Sequence, residues 1–381
     1  MRNRTSIATL NRPPRILLAG GGTGGHVYPA IAVADAVRRK CPDAVVAFAG
    51  SRDKIEWTAV PAAGYPIHAV SVQGLMRSLS PQNILKNLKL PFVVGKGVRE
   101  ALRLVDAFDA DVAVGTGGYV SAPVIWAAHR KKRPVLIQEQ NAHVGLTNRM
   151  LSRFADRIHT AFTETLKVFP AARTVVSGNP TREDLQGASR DEARAFFNVG
   201  EGERVLLVLG GSGGSRAINE IFERQLRDFL HHKNLVLIWQ TGARYYDRLK
   251  NELADHPRLR LLKFIDRMDH AYAAADLAVC RSGALTCSEL MITGTPSILV
   301  PSPNVAEDHQ TKNAESMVSA GAAELLPEPR LRLELYDMWE ALWTDPDRLA
   351  ALSEAASRNA TPDAAARIAD DVLNLTGRFT A

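Results

Sequence analysis

The feature that most constrains this chain is a pattern that occurs once in each half: an apolar, strand-like run leads directly into a glycine-rich turn. Ile16–Ala19 leads into Gly20-Gly-Gly-Thr-Gly-Gly25, and Val205–Leu209 leads into Gly210-Gly-Ser-Gly-Gly214. Apolar runs that end in such turns and are followed by amphipathic stretches are typical of parallel strands covered by helices on both faces. Because 381 residues exceed what one hydrophobic core usually fills, two such domains are expected.

Further strand-like runs support this reading in both halves. They are Val45–Ala49, Ile67–Val72, Val112–Val114, Val135–Ile137 and Arg157–Ala161 in the first half, and Val236–Trp239, Leu259–Phe264, Leu277–Val279 and Ile298–Val300 in the second. A cluster of Gly, Asn and Pro at Val175–Pro180 separates the halves as a linker does. The last segment, Asp363–Leu375, has a helical pattern with no strand after it.

We therefore predict an α/β protein with two Rossmann-like, doubly wound parallel-sheet domains that face each other across a cleft. The expected divisions are a flexible leader at 1–13, an N-terminal domain at 14–179, a C-terminal domain at 180–358, and a final helix at 359–381 that packs back on the N-terminal domain. In open α/β sheets ligands bind beyond the carboxyl ends of the strands, which is where the glycine turns lie.

Composition narrows the class of protein. The net charge of +6 and the pI near 9.3 favour anionic partners, but no basic and aromatic platform for nucleic acid is visible. The three cysteines have no metal-ligand spacing, which indicates reduced core residues in a reducing compartment. No run of about 18 apolar residues is available for a spanning helix, and the N-terminus lacks the apolar stretch of a secretory signal.

The first glycine turn carries the first candidate site. Gly20, Gly22 and Gly25 satisfy G-x-G-x-x-G, which suits a phosphate at a helix N-terminus. A dinucleotide site would also want a carboxylate about 20 residues on, at the end of the next strand, where Gly50-Ser51-Arg52 stands instead. His26 follows the turn and is a candidate base or hydrogen-bond donor to a leaving pyrophosphate. A turn without a ligand and a surface histidine are the alternatives.

The second-half stretch Arg281–Glu289 must begin a helix, because it follows a strand. Ser282 is expected to cap that helix and to leave the amides of Gly283, Ala284 and Leu285 free for a pyrophosphate. Glu289 and Thr286 would share a helix face, where a carboxylate can accept from both hydroxyls of a ribose. The alternative is a glutamate that faces solvent.

A metal site is not expected from the sequence. Asp109-Ala-Asp111 matches a pattern that some metal-dependent glycosyltransferases use, but it precedes its strand at the end away from the glycine turns. With no cluster of Cys and His either, it more reasonably caps a helix–strand loop.

Taken together, these stretches resemble the MurG family of bacterial peptidoglycan glycosyltransferases, from Arg15 to about residue 325. The matching motifs are Gly20–His26, Gly117-Gly-Tyr-Val-Ser121, Glu139-Gln-Asn141, Gly145-Leu-Thr-Asn148, Gly178-Asn-Pro180 with Arg182, Gly210-Gly-Ser-Gly213, Phe264-Ile-Asp266, Arg281–Glu289 and Asp308-His-Gln310. The chain departs from the family pattern at Ala122, Gln138 and Gly213, and its Gly74–Ser78 loop is not glycine-rich.

The resemblance implies the GT-B architecture and a role for each matching residue. The donor-binding residues would be Thr23, Gly24, Gly25, Asn141, Arg182, Ser212, Ile265, Ala284, Leu285, Thr286, Cys287, Ser288, Glu289 and Gln310. Gly22, Gly118 and Tyr119 would lie on the acceptor side, and His26 would be the catalytic residue. Ser212 and the Ala284–Leu285 turn would hold the pyrophosphate, Glu289 the ribose, and Arg182 with the Ile265 backbone the uracil.

The implied reaction is transfer of N-acetylglucosamine from UDP-N-acetylglucosamine to lipid I, undecaprenyl-pyrophosphoryl-N-acetylmuramyl-pentapeptide, with inversion and with neither cofactor nor metal. The resemblance also implies a peripheral protein on the cytoplasmic face of the inner membrane, with other cell-wall or division proteins as further partners and no nucleic acid. Another UDP-sugar enzyme of the same fold, an epimerase or a different transferase, is the alternative.

A lipid acceptor requires a membrane-facing surface, for which residues 75–105 are the candidate. This segment combines apolar residues with a basic rim, as an interfacial segment requires. The apolar residues are Leu75, Met76, Ile84, Leu85, Leu88, Leu90, Phe92, Val93 and Val94, and the basic ones are Arg77, Lys86, Lys89, Lys96, Arg99 and Arg103. Pro91 is expected to break the segment into a short helix and a loop. The alternative is that the apolar residues face the core.

Overall fold

The computed structural model describes residues 12–74, 80–185 and 187–377, with side chains given for all of these except 81–87, 89, 183 and 306. The chain forms two compact units. Unit 1 ends at Thr181 and resumes at Pro362, and unit 2 runs from Arg182 to Thr361. Most of the expected leader and residues 75–79 of the candidate membrane segment lie outside the described residues.

Unit 1 is built on a parallel sheet in the order β3-β2-β1-β4-β5-β6-β7. Its strands are β1 Arg15–Gly20, β2 Val45–Gly50, β3 Ile67–Ala69, β4 Val112–Gly117, β5 Val135–Glu139, β6 Arg157–Thr160 and β7 Thr174–Val176, and the helices between them are α1 Gly24–Lys40, α2 Glu56–Ala62, α3 Pro81–Phe108, α4 Ser121–Arg130 and α5 Leu146–Leu151. Short 3-10 helices lie at Thr163–Lys167 and Ala171–Arg173.

The two faces of this sheet bury different residues of the same strand, because side chains alternate along a strand. Ile16 and Leu18 belong to one apolar cluster, while Leu17 and Ala19 belong to another that includes residues of α3 and α4. All four side chains are fully buried. The strands therefore read as continuous apolar runs, as expected for a parallel sheet covered on both sides.

Unit 2 has a parallel sheet in the order β10-β9-β8-β11-β12-β13. Its elements are α6 Arg190–Phe196, β8 Arg204–Leu209, α7 Arg216–His231, β9 Leu235–Gln240, α8 Ala243–Glu252, β10 Leu259–Leu262, α9 Met268–Ala274, β11 Leu277–Cys280, α10 Ala284–Thr293, β12 Ser297–Leu299, α11 His309–Ser319, β13 Glu324–Leu325, α12 Leu331–Trp343 and α13 Pro346–Arg358. Short 3-10 helices lie at Glu183–Leu185, Ala306–Asp308 and Glu328–Arg330. Its core is rich in aromatic side chains, including Phe222, Phe229, Trp239 and Trp339.

The last helix, α14 Ala364–Leu375, returns to unit 1 and packs against α1. Its residues Ile368, Ala369 and Val372 are fully buried in the cluster that holds Ile16 and Leu18. Asp371 accepts hydrogen bonds from His159 at 3.0 Å and from Arg157 at 2.6 Å, and these bonds, the one from His159 first, lower the pKa of its carboxyl.

Several elements differ from the sequence-based expectation. The sequence pattern predicts a linker at Val175–Pro180, yet β7 pairs in parallel with β6 at the edge of the sheet, and the pattern predicts no strand at β13. Both are short edge strands, which need no continuous apolar run. α1 begins at Gly24 and not at Tyr28, so it takes in the last two glycines of the turn and His26. The predicted strands at 67–72 and 259–264 end early, at Ala69 and Leu262.

The expected break at Pro91 is wrong, because α3 continues through Pro91 as one helix of 28 residues. A proline inside a helix removes one backbone hydrogen bond. The C-terminal half of α3 is held in place by its own packing, since Ala101, Val105 and Phe108 are buried in the core. No helix of the described part of the chain is long and apolar enough to cross a membrane.

Candidate active site

The glycine turns lie at the position where open α/β sheets bind ligands. In each unit the strand order reverses between two neighbouring strands, and the loops after these strands leave a crevice. In unit 1 the two strands are β1 and β4, followed by the first glycine turn (residues 20–25) and by Gly117-Gly118. In unit 2 they are β8 and β11, followed by the second glycine turn (residues 210–214) and by Arg281.

The first glycine turn is held from behind by a buried carboxylate. The side chain of Glu56 accepts hydrogen bonds from the amides of Gly22 at 2.9 Å and Ser51 at 3.0 Å. The Gly22 amide therefore already has a hydrogen-bond acceptor within unit 1. Gly118 has a φ of +78°, and a Cβ at this position would lie 2.1 Å from the carbonyl oxygen of Gly21, so only glycine fits here. The two loops are thus packed backbone to backbone.

Thr23, Gly24 and Gly25 form the start of α1. The carbonyl of Thr23 accepts hydrogen bonds from His26 and Val27 at 3.2 Å, and the Thr23 side chain makes no capping bond. No acidic residue lies in the first turn of this 17-residue helix. A helix N-terminus of this kind favours an anion.

His26 lies in the first turn of α1 and is half-buried. Its Nδ1 lies 3.0 Å from the carbonyl oxygen of Thr116 and 2.9 Å from the side-chain oxygen of Gln140. The hydroxyl of Thr116 donates to the backbone carbonyl of His26 at 2.7 Å. The end of β4 therefore holds both the backbone and the ring of His26.

Tyr119 and Asn141 also lie on unit 1. Tyr119 is 58% exposed, and its ring is packed so closely against Gly74 that a Cβ there would lie 2.4 Å from it. The amide of Asn141 donates to the buried carboxylate of Glu139 at 3.0 Å, and its side chain does so at 3.3 Å. Glu139 also accepts from Asn148 at 3.0 Å, so it organises the loop that presents Asn141.

The second glycine turn is fixed by Arg281, whose side chain is 12% exposed. Arg281 donates to the hydroxyl of Ser215 at 2.6 Å, to two carbonyls after β12, and to the carboxylate of Glu328. Ser215 is the N-cap of α7 and accepts from the amide of Ile218 at 3.4 Å. Ser212, at the tip of the turn, is exposed. The turn is therefore tied to the loop after β11, and its tip is left open to solvent.

The start of α10 differs from the sequence-based expectation. Ser282 is fully buried, and its hydroxyl donates to the carbonyl of Gln310 at 2.8 Å, so it does not cap the helix. The N-cap is Gly283, with no side-chain cap bond. The first turn of α10 thus contains the amides of Ala284, Leu285 and Thr286. The N-terminus of a helix is a position that favours an anion.

Cys287 and Ser288 point inward. Cys287 is fully buried, Ser288 is 3% exposed, and the Cys287 amide donates to the carbonyl of Gly283 at 2.9 Å. Burial raises the pKa of the Cys287 thiol to about 12. These two residues support the helix start with their packing, and their side chains lie in the core.

Glu289 is half-buried on the next turn of α10. Burial raises the pKa of its carboxyl to about 7, while a hydrogen bond from the Tyr272 hydroxyl at 2.9 Å and the charge of Arg182 act in the opposite direction. Arg182 lies 3.8 Å from Asp184 and keeps 43% of its side chain exposed. Glu289 is thus a carboxylate with an acceptor atom available for hydroxyl groups and a pKa near neutrality.

Ile265 and Gln310 are each positioned by a second residue. The amide of Ile265 donates to the side chain of Gln240 at 2.8 Å, and the other end of that side chain donates to Gly211 at 3.1 Å. Gln240 therefore links the Ile265 loop to the second glycine turn. Gln310, near the start of α11, accepts from the amide of Ser302 at 2.8 Å.

The structure distributes the predicted site residues over the two units. Unit 1 carries Gly22, Thr23, Gly24, Gly25, His26, Gly118, Tyr119 and Asn141, and unit 2 carries Arg182, Ser212, Ile265, Ala284, Leu285, Thr286, Cys287, Ser288, Glu289 and Gln310. Within each unit they lie in the loops and helix starts that follow the strands. Their assignment to a ligand stays a prediction.

The sequence pattern assigns no role to the residues that hold these loops, although some of them stand within the matching motifs. They are Glu56, Gln138, Gln140 and Asn179 in unit 1, and Gln240, Tyr272 and Arg281 in unit 2. Most lie at or just after strand ends. The sequence signal for such residues is a polar side chain at the end of an apolar strand, as in Ile137-Gln138-Glu139-Gln140 and Trp239-Gln240.

Asp109 and Asp111 lie between α3 and β4 and are engaged with arginines. Asp111 accepts from the Arg15 amide at 2.8 Å and from Arg12 at 3.0 Å, while Asp109 pairs with Arg12 and Arg133. These carboxylates connect the loop before β4 to the start of β1 and to the loop before β5. Over the described ranges of the chain, no group of three or more His, Cys, Asp or Glu side chains is arranged to hold a metal ion.

Comparison with known proteins identifies the family. The glycosyltransferase family 28 N-terminal domain matches residues 16–160, and the family 28 C-terminal domain matches residues 205–368. The chain is 57% identical to UDP-N-acetylglucosamine--N-acetylmuramyl-(pentapeptide) pyrophosphoryl-undecaprenol N-acetylglucosamine transferase of Salinibacter ruber, over 97% of this chain and 98% of that one. The chain belongs to the MurG family.

Two further comparisons with members of this family support the assignment. The transferase of the same name from Parabacteroides distasonis is 40% identical over 96% of this chain and 99% of that one. The crystal structure of Acinetobacter baumannii MurG superposes with a TM-score of 0.77 at 30% identity, covering 95% of this chain and all of that one. The predicted GT-B fold class, with two parallel-sheet α/β domains, is thereby confirmed, as is the MurG resemblance.

Proposed function

We propose that this protein transfers N-acetylglucosamine from UDP-N-acetylglucosamine to lipid I and so forms lipid II, as the names of its MurG relatives describe for them. The observation that carries this proposal is full-length similarity at 57% identity to a relative of that activity. The alternative of an epimerase is not favoured, because the epimerases among structural neighbours are only 12% and 13% identical and so share the fold alone.

Unit 2 has the groups that a nucleotide diphosphate requires. The first-turn amides of α10 at Ala284 and Leu285, with Ser212 on the second glycine turn, would bind the pyrophosphate. Glu289 would accept hydrogen bonds from the ribose hydroxyls. Arg182, whose charge already acts on Glu289, and the loop at Ile265 would bind the uracil.

Unit 1 would supply the groups for the chemical step. A UDP-sugar with an α linkage that gives a β-linked product reacts by a single displacement with inversion. The acceptor hydroxyl attacks the anomeric carbon while the bond from this carbon to the UDP oxygen breaks. His26 would take the hydroxyl proton. The negative charge that develops on the leaving pyrophosphate would be met by backbone amides at helix N-termini.

The reaction should not require a divalent metal, because helix N-termini supply the positive potential and Asp109 and Asp111 are engaged with arginines. A chelator is expected to leave most of the activity intact. Loss of turnover in Asp109→Ala or Asp111→Ala without loss of folding would contradict this assignment.

A direct assay of the disaccharide product tests the proposed function. The pure protein is incubated with lipid I and a panel of UDP-sugars, and the lipid-linked disaccharide is detected by mass spectrometry. Product is expected with UDP-N-acetylglucosamine and not with UDP-glucose. In a parallel thermal unfolding assay, UDP-N-acetylglucosamine should raise the Tm and NADPH should not, since only a ligand of the native state stabilises it. The reverse result would favour an oxidoreductase.

We further propose that the protein docks peripherally on the cytoplasmic face of the inner membrane through α3. Leu88 and Phe92 are 67% and 81% exposed, so they are not core residues. At 100° per residue they share one helix face with Lys96, Arg99 and Arg103, which is opposite the buried face of Ala101 and Val105. An apolar anchor next to basic residues suits an anionic lipid surface. We propose other cell-wall or division proteins as further partners.

Sedimentation with liposomes tests this surface. Binding to anionic vesicles but not to neutral ones is expected, and it should weaken with salt because the basic residues act within a Debye length. Leu88→Ser/Phe92→Ser and Arg99→Glu/Arg103→Glu should each lose binding and retain activity on a water-soluble, tail-shortened acceptor. Unchanged binding in both variants would place the membrane surface elsewhere.

A further inference from the structure

Two glutamine side chains next to His26 have no role in the function proposed above. Gln138 lies in β5, and Gln140 is the first residue after this strand. Both side chains are fully buried. A buried amide group is costly unless its donors and acceptor are bonded. The hydrogen bonds of these two side chains therefore indicate which neighbouring groups they orient.

The orientation of Gln140 is determined by its nitrogen. The Nε2 atom donates to the carbonyl of Thr116 at 2.7 Å, to the carbonyl of Gln138 at 3.1 Å, and to the side-chain oxygen of Gln138. All three are oxygens. The flipped amide would place its own oxygen against them and lose every one of these bonds. The oxygen of Gln140 must therefore face His26, at 2.9 Å from Nδ1.

This arrangement selects one tautomer of His26. Nδ1 lies between two oxygen acceptors, the Gln140 side chain and the Thr116 carbonyl, so it must carry a proton. In the neutral ring the other nitrogen, Nε2, is then unprotonated. An unprotonated Nε2 is the atom that a general base requires, and the hydrogen bond at the far nitrogen determines which nitrogen this is.

Gln140 is itself held by a third amide. Gln138 donates to the side-chain oxygen of Asn179 at 3.0 Å, and Asn179 donates back to the carbonyl of Gln140 at 3.0 Å. Asn179 is fully buried and lies two residues before Thr181, where the main segment of unit 1 ends. The last residues of unit 1 thus connect to His26 through uncharged side chains alone.

We propose that Gln140, held by Gln138 and Asn179, is a positioning residue that acts together with the Thr116 carbonyl to keep Nδ1 of His26 protonated and to present Nε2 as the base. This rests on the proposed function, in which Nε2 takes the acceptor hydroxyl proton as the oxygen bonds to the anomeric carbon and UDP leaves with the electrons of the broken bond. In Ser-His-Asp enzymes a carboxylate does this orienting and also stabilises the imidazolium. Here a neutral amide orients the ring without adding a charge.

Nitrogen-15 NMR of histidine-labelled protein tests the proposal without relying on activity. The His26 signals are identified by their absence from His26→Ala. In the wild type we expect the neutral ring to carry its proton on Nδ1. Gln140→Met keeps the length of the side chain but leaves the Thr116 carbonyl as the one remaining acceptor of the two at Nδ1. In this variant we expect a measurable population of the tautomer protonated on Nε2. A wild-type ring protonated on Nε2 would overturn the proposal, and this outcome does not depend on whether Gln140→Met folds.

Kinetics supplies the second readout. Gln140→Met should lower kcat about 10-fold or more, since it misorients a general base, and should change the KM for UDP-N-acetylglucosamine less than about two-fold. Gln138→Met should have a smaller effect in the same direction. Gln225→Met in α7 of unit 2 is the matched control and should behave as wild type.

The two possible failures are distinguishable. If the wild type makes no disaccharide, the proposed function fails and the NMR measurement still decides the tautomer. If the wild type is active but Gln140→Met keeps both its kcat and a ring protonated on Nδ1, the positioning role of Gln140 is wrong while the transferase function stands.

Discussion

The two glycine turns occupy equivalent positions in their sheets, but the side chains that hold the candidate site residues beside them differ in charge. The carboxylate of Glu56 holds the first turn itself, whereas His26 beside it is bonded by the amide of Gln140, which the amides of Gln138 and Asn179 hold in turn. The second turn is bonded by Arg281, which pairs with Glu328, and Glu289 lies on the second turn of the neighbouring helix α10. In the proposed function, equivalent folds would thus support different tasks: unit 1 would orient a group that accepts a proton, and unit 2 would arrange charges and amides for a nucleotide.

The largest effect that this contrast predicts is the loss of turnover in His26→Ala. His26→Ala should lower kcat about 100-fold or more and leave the KM for UDP-N-acetylglucosamine nearly unchanged, because a base acts in the transition state and not in donor binding. Steady-state kinetics with lipid I measures both. His68→Ala, an exposed histidine of β3 in the same unit, is the control. Near-normal turnover in His26→Ala would remove its catalytic assignment.

The complementary prediction concerns Glu289. Glu289→Ala should raise the KM for UDP-N-acetylglucosamine about 10- to 100-fold, the range for hydrogen bonds to a charged group, with a smaller effect on kcat. The rise in Tm with UDP should be lost as well. Glu354→Ala, on the surface of α13, is the matched control. A fall in kcat at constant KM would show that the two units do not divide the work as proposed.

The pKa of Glu289 predicts a pH dependence of donor affinity. Ribose hydroxyls donate to the ionised carboxylate, and its pKa in the free protein is about 7. The affinity for UDP-N-acetylglucosamine should therefore rise about 10-fold from pH 6 to pH 8, as the ionised fraction grows. Calorimetry measures this, and UDP-N-acetylglucosamine is preferable to UDP because both of its phosphates are esterified. Glu289→Gln should show a nearly flat profile, and an equal slope in that variant would exclude Glu289 as the cause.

The smallest expected effect is that of Tyr272→Phe. Loss of its hydrogen bond should misorient Glu289 and raise the KM for the donor about 3- to 10-fold, since one hydrogen bond typically contributes about 0.5–1.5 kcal/mol. The ring itself is retained, so folding should be preserved. Tyr246→Phe on α8 is the control. A variant that binds the donor as well as wild type would show that burial alone orients Glu289.

Much of the fold was predictable because parallel strands covered on both faces must be apolar throughout. Each core strand, from Ile16–Ala19 to Leu277–Val279, is such a run. The edge strands β7 and β13 were not predictable in this way, since half-buried edges need no such run. The continuous α3 through Pro91 was also misjudged, because packing of its C-terminal half outweighs one lost hydrogen bond.

The sequence by itself determined the two sheets, the glycine turns at their carboxyl ends and the family, since local patterns and ordered motifs carry this information. Only the tertiary structure decided which atoms meet. Gln140 reaches His26 across 114 positions of the chain, Glu56 reaches Gly22 across 34, and Ser282 turns away from its expected cap to bind Gln310. Hydrogen bonds between distant residues depend on how the strands are ordered in space, and this ordering leaves no local pattern in a single sequence.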